Sequence, residues 1–192
     1  MLKFSALHYE KNWFTAFFSI MRKVVTDTKS GQPLFSFKHT WGNKLQVFSD
    51  PNFGNLILEG RFVRGSFLTW SWDVYKIGEK EPFTRMESKL AQTAIAFGVE
   101  VLTFKEPDGK PFLSLEREEG SVLKHVVDNM IDLYNPTHVY ALKTPSGKLI
   151  GTIRAKHGIL KGFYDFELGE GDEKEKEAAL MAFAFILLML KK

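Results

Sequence analysis

The sequence predicts a mostly β (α+β) domain organised around one apolar helix at its C-terminal end. Three observations carry this: a turn-and-strand unit that recurs four times, alternating strand-like runs between those turns, and a stretch from Ala178 to Leu190 without one polar side chain. A chain of 192 residues suits one ordinary core, so residues 1–192 read as a single domain with 172–190 as its central helix. Hydrophobic residues at 44% and charged residues at 26% match an average globular composition and exclude disordered, collagenous and disulfide-scaffold classes. There is no cysteine, which removes thiolate chemistry and cysteine-bearing zinc sites.

The recurring unit is a turn glycine, one polar residue, then Pro or Leu leading an apolar strand. Its copies are Lys29 to Lys38 around Gly31, Asn52 to Arg61 around Gly54, Pro107 to Glu116 around Gly109, and Pro145 to Arg154 around Gly147. Glycine supplies a positive φ without steric cost, and a proline two residues on can begin a strand but not occupy its middle. Each copy therefore reads as a hairpin tip. The glycines stand 23, 55 and 38 residues apart, which excludes a fixed-period solenoid and favours a meander that reuses one hairpin type.

Between the tips, strand-like runs extend over Lys44 to Ser49, Phe62 to Ile77, Val99 to Phe104, His138 to Lys143 and Ile159 to Leu168. With the hairpin strands they make about ten, the pattern of a sandwich or barrel, and closure is the usual way to remove exposed edges. Within the aromatic run, Leu68, Trp70, Trp72 and Val74 share one face, expected to be core, opposite Phe67, Thr69, Ser71, Asp73 and Tyr75. Ser88 to Phe97 and Ser121 to Tyr134 have partly helical spacing and are read as short helices.

The C-terminal helix has clear punctuation. Asp172 followed by Glu175 forms a candidate capping box, Glu173 and Glu177 suit the positive end of a helix dipole, and Lys191 and Lys192 suit the negative end. Apolar on every side, the helix has no solvent face and must be buried all round. The run of 13 apolar residues is too short to span a bilayer, which needs about 20.

Net charge is +3, with the acidic segment Glu167 to Glu177 carrying six acids and two lysines. The mild excess elsewhere permits attraction to anionic surfaces but is not the clustered Lys and Arg of a nucleic-acid binder. Met1 to Met21 interleaves charged and apolar residues and lacks the apolar core of a signal peptide, so the chain is expected to be cytoplasmic.

With hairpins of the form Asp108-Gly109-Lys110-Pro111 and Ser146-Gly147-Lys148-Leu149-Ile150-Gly151, the run Tyr140 to Ile153, and the apolar tail Glu177 to Lys192, the chain resembles the Tubby C-terminal-like superfamily. That grouping includes phospholipid scramblases and plant LURP-one-related proteins, and the resemblance runs by pattern from Val24 to the end. It implies a closed antiparallel β-barrel of about twelve strands threaded by the C-terminal helix, and a non-enzymatic binding or scaffold role. Tubby proteins bind phosphoinositides through basic residues on the barrel wall, but no motif here carries those positions over. The calcium segment of scramblases has a loose counterpart at Asp165 to Glu177, which lacks alternating oxygen ligands and a central glycine, so that function does not transfer.

Seven or eight residues after each turn glycine comes a basic residue: Lys38, Arg61, Arg117 and Arg154, followed in three copies by His39, Arg64, and Lys156 with His157. Aligned on a barrel, Lys38, His39, Arg61, Arg64, Arg154, Lys156 and His157 would form a basic band suited to anionic lipid headgroups or an acidic partner, with the chain peripheral at the membrane. A basic residue on an outer strand face also serves simply to block edge pairing. The five histidines stand singly without ligand spacing, and no metal or cofactor is implied. Two other readings stay open: an enzyme with a site at one barrel mouth built from Asp73, Asp165, Glu167 and a histidine, and a homo-oligomeric structural protein.

Overall fold

The structure, a computed structural model, describes residues 2–8, 21–40, 43–63, 69–88, 100–118, 137–157 and 162–189. They form twelve strands and one helix: β1 (Leu2–His8), β2 (Met21–Asp27), β3 (Pro33–Thr40), β4 (Lys44–Phe48), β5 (Leu56–Val63), β6 (Trp70–Lys76), β7 (Thr84–Ser88), β8 (Glu100–Lys105), β9 (Pro111–Arg117), β10 (Thr137–Lys143), β11 (Leu149–His157), β12 (Gly162–Leu168) and α1 (Glu173–Met189). The expected run Phe62 to Ile77 divides into the end of β5 and the whole of β6. The helices expected at Ser88 to Phe97 and Ser121 to Tyr134 lie outside the described residues, apart from Ser88, which ends β7.

Every ladder is antiparallel, and sequence neighbours from β2 to β12 pair with one another. β1 lies against β12 over seven residue pairs, Leu2↔Leu168 to His8↔Gly162. On its other side it meets β2 at Phe4↔Asp27 and Ser5↔Thr26.

Three of the four turn glycines do what their position requires: Gly31, Gly109 and Gly147 have φ of 68°, 90° and 84°. In the second copy the positive φ of 61° falls on Phe53 instead. Asp50 holds that turn, its carboxylate accepting the backbone N–H of Asn52, Gly54 and Asn55, and these bonds keep its pKa below the usual carboxylate range.

The capping box forms as expected. The Glu175 N–H donates to Asp172 Oδ1 at 2.7 Å, and the Asp172 N–H donates to Glu175 Oε2 at 3.0 Å. Beyond this cap every side chain from Ala178 to Leu187 is buried, including Leu180, Phe183, Phe185, Ile186 and Leu187; Leu190 lies outside the described residues. Phe183 stacks on Phe166 of β12 with centroids 4.8 Å apart and meets Phe37 of β3 edge-on at 5.6 Å. Two residues on, and so on the far side of the helix, Phe185 meets Trp72 of β6 at 5.4 Å. In the strand order, β12 and β6 stand six places apart. The helix is therefore enclosed by strands on opposite sides of its axis, which gives an all-apolar helix the cover it needs.

Gly60 of β5 lets the helix come close, since a Cβ there would lie 2.6 Å from Met181 Cε. The expected core face of β6 holds at Trp72 and Val74, both fully buried. Trp70 is 39% exposed at the strand's end, edge-on to Phe62 and Trp72. No helix among the described residues is long and apolar enough to cross a membrane.

Candidate functional site

Because side chains alternate along a strand, the outer wall takes the residues between the core positions, and much of it neutralises itself. Arg85 Nε lies 2.7 Å from Asp73 Oδ1 across β6 and β7, Lys105 Nζ 2.6 Å from Glu87 Oε2 across β7 and β8, and Lys143 Nζ 3.3 Å from Glu116 Oε2 across β9 and β10. On β5, Glu59 is buried on this outer face among three partners: Arg61 Nε at 2.7 Å, Gln46 Nε2 at 2.8 Å and Lys44 Nζ at 3.7 Å. Burial pushes its carboxyl up, but the hydrogen bonds from Arg61 and Gln46 and the nearby cations outweigh that and hold its pKa below the usual range.

The basic band expected from the turn count does not assemble as one patch. Arg61 is half exposed, but its charge is engaged by Glu59 and its guanidinium lies 4.2 Å from the Tyr75 ring centroid. Arg154 is exposed on β11, in register between Val139 and Asp165. β5 and β11 are six places apart in the strand order, which sets Arg61 and Arg154 far apart on the sheet. His39 is buried on the inner face with Phe37, and Arg117 shares the inner face of Leu115, so neither belongs to an outer band. Lys156 and His157 occupy β11 in register with Phe163 and Gly162; their side chains, and all of Arg64, lie outside the described residues.

Lys38 is different. It faces outward on β3, directly opposite Arg22 of β2, with Gln46 of β4 on its other side. Like charges in direct register repel, and among the described residues neither cation makes an ion pair with an acid. Arg22 instead spreads over the Phe53 ring, 5.4 Å from its centroid, and Phe53 packs edge-on against Phe48. Val24, two residues along β2 and on the same face as Arg22, is 38% exposed. The patch Arg22, Val24 and Lys38 is thus cationic, partly apolar and, among the described residues, unpaired with any acid. Arg22 escapes the turn count because it precedes the first turn glycine, although the β-branched run Val24-Val25-Thr26 marks β2 as a strand.

The acids considered for a mouth site are also dispersed. Asp73 is engaged with Arg85 on the outer face of β6, and Asp165 and Glu167 alternate with the buried Tyr164, Phe166 and Leu168 on the opposite wall. Among the described residues no three His, Cys, Asp or Glu side chains are grouped to hold a metal.

The charges at the start of α1 have a fastening role. Lys76 of β6 lies 2.9 Å from Glu177 Oε2 and 3.5 Å from Glu173 Oε1, Lys148 Nζ is 3.6 Å from Glu175 Oε2, and Lys174 pairs with Glu106 while lying over the Phe112 ring. These contacts tie the first turns of the helix to three separate hairpins.

No family model matches the chain, and no curated protein or solved structure matches it either.

Proposed function

We propose that this chain is a non-enzymatic binding or scaffold domain of the Tubby-like type, a closed β-barrel threaded by α1, which takes anionic groups on the outer wall of β2 and β3. The β1 to β2 pairs and the enclosure of α1 between β6 and β12 support the closed barrel. One observation carries the binding role: Arg22 and Lys38 stand in direct register with no acid paired to either among the described residues, on a wall whose other described strands mostly pair their charges. Like charges directly opposite each other destabilise a ladder, and an anion lying between them would offset that cost through charge-assisted hydrogen bonds. The headgroups of anionic lipids and the carboxylates of an acidic partner supply that chemistry to a cytoplasmic domain at the membrane periphery.

Co-sedimentation with neutral and phosphoinositide-containing vesicles tests the reading. The expected result is weak binding to the anionic vesicles, lost between low and physiological salt because exposed charges are screened beyond about 8 Å. Arg22→Glu combined with Lys38→Glu should remove it, whereas Arg61→Glu, at a cation already engaged by Glu59, should change it less. Equal pelleting with neutral vesicles, or undiminished binding by the double variant, would overturn the proposal.

A further inference from the structure

The turn between β4 and β5 folds back over the outer wall. Val47 faces the core, so its neighbour Phe48 faces outward, yet Phe48 is buried without belonging to the core around α1. Its cover is Phe53, packed edge-on with centroids 5.5 Å apart. The same turn is tied to β3, where the buried Ser36 donates to the Asp50 carbonyl at 2.5 Å. Ser36 stands two residues from Lys38 and on the same face of its strand.

Within this turn Phe53 has a φ of 61°, in the left-handed region that a bulky side chain disfavours. Glycine takes such a φ without steric cost, but it stands one place later, and Gly54 has no positive φ. The Asp50 carboxylate, accepting from Asn52, Gly54 and Asn55, holds the strained backbone in place. Strain of this kind persists where the surrounding structure enforces it, and it clusters at functional sites. What it delivers here is the Phe53 ring, set against the guanidinium of the exposed Arg22 at 5.4 Å.

We infer that Phe53 is a positioning residue of the anion-binding wall: its ring holds the Arg22 guanidinium in place, so that the N–H groups at its edge are presented, beside Lys38, to an incoming anionic group. This rests on the anionic-binding reading of β2 and β3. An exposed arginine samples many rotamers, and fixing it on binding costs affinity. A guanidinium already stacked on a ring has lost much of that freedom and keeps its in-plane donors available. The π face also attracts the Arg22 charge, which offsets its repulsion from Lys38 directly opposite.

The test measures co-sedimentation of the full chain and its variants with phosphoinositide-containing vesicles at low salt. Phe53→Leu, which keeps an apolar cover on Phe48 but no π face, should weaken binding about two- to fivefold, and Phe53→Trp should restore it. In an Arg22→Lys background, which keeps the charge without the flat guanidinium face, Phe53→Leu should cost less than it does beside Arg22. In NMR spectra of the wild type, the Arg22 δ protons should carry an upfield ring-current shift, and its absence would overturn the inference whatever the variants do. Undiminished binding by Phe53→Leu, or an equal loss in the Arg22→Lys background, would overturn it as well. The anionic reading would then still stand if Arg22→Glu with Lys38→Glu abolishes binding. If that double variant binds as well as wild type, both fall.

Discussion

Asp165 and Phe166 are chain neighbours on β12 that face opposite surroundings. Phe166 is fully buried and stacked on Phe183, whereas Asp165 looks out from the wall in register with Arg154 and Ser5. The same division runs through the sheet. Inner positions such as Phe37, Trp72, Phe104 and Leu115 are dry and close around α1, and outer positions form a patchwork of charges. A buried large side chain stabilises by roughly 1.5–3 kcal/mol, while an exposed ion pair contributes about 0.2–1 kcal/mol. The inner face therefore determines whether the fold exists. The outer face is free to vary, and a charge there costs or gains little stability.

The largest test of this contrast removes the chain from Glu177 onward. The inner faces of the strands would lose their cover and leave a void far beyond what a core tolerates, so the truncated protein should be insoluble or lack a cooperative thermal transition. A soluble, cooperatively folded product would make α1 an appendage and undo both the contrast and the Tubby-like reading. A smaller effect is expected outside: a double-mutant cycle of Asp73→Ala and Arg85→Ala in urea unfolding should give a coupling of about 0.2–1 kcal/mol. A coupling of several kcal/mol would erase the distinction between the faces.

Glu177 sits where the two regimes meet, the last charge before the apolar body of the helix. Burial raises its pKa, and Lys76 only partly opposes this. A carboxyl with a raised folded pKa contributes stability that is present below its unfolded value and is lost as pH rises through the folded one. Glu177→Gln should accordingly leave thermal stability at neutral pH unchanged or slightly higher, with the wild type gaining on the variant as pH falls through the acid range. Wild type gaining instead as pH rises would show that the Lys76 pair dominates.

The inside was far more legible than the outside. Thirteen apolar residues in a row allow one kind of environment, and a turn glycine followed by Pro or Leu specifies a hairpin locally. β7 stayed hidden because two of its three inner residues, Thr84 and Ser88, are polar. Thr84 is accommodated by donating to the Lys105 carbonyl, a partner distant in sequence. The displaced turn at Phe53 depends on Asp50, whose three backbone bonds stabilise a positive φ that the residue type disfavours. Counting from the turn glycine failed for His39 and Arg117 because one residue of offset exchanges the two faces of a strand. The patch at Arg22 and Lys38 needed the register of β2 on β3, which no local pattern contains.

The position of α1 after all twelve strands has a consequence for biosynthesis. Until the ribosome has released the segment that becomes α1, the inner faces of the preceding strands have nothing to enclose, and β1 must wait for β12, the last strand made. Contacts so distant in sequence form slowly, and the nascent chain meanwhile displays apolar surface and open strand edges. The barrel-like core can therefore close only once α1 has been made, and until then the emerging strands are exposed to aggregation.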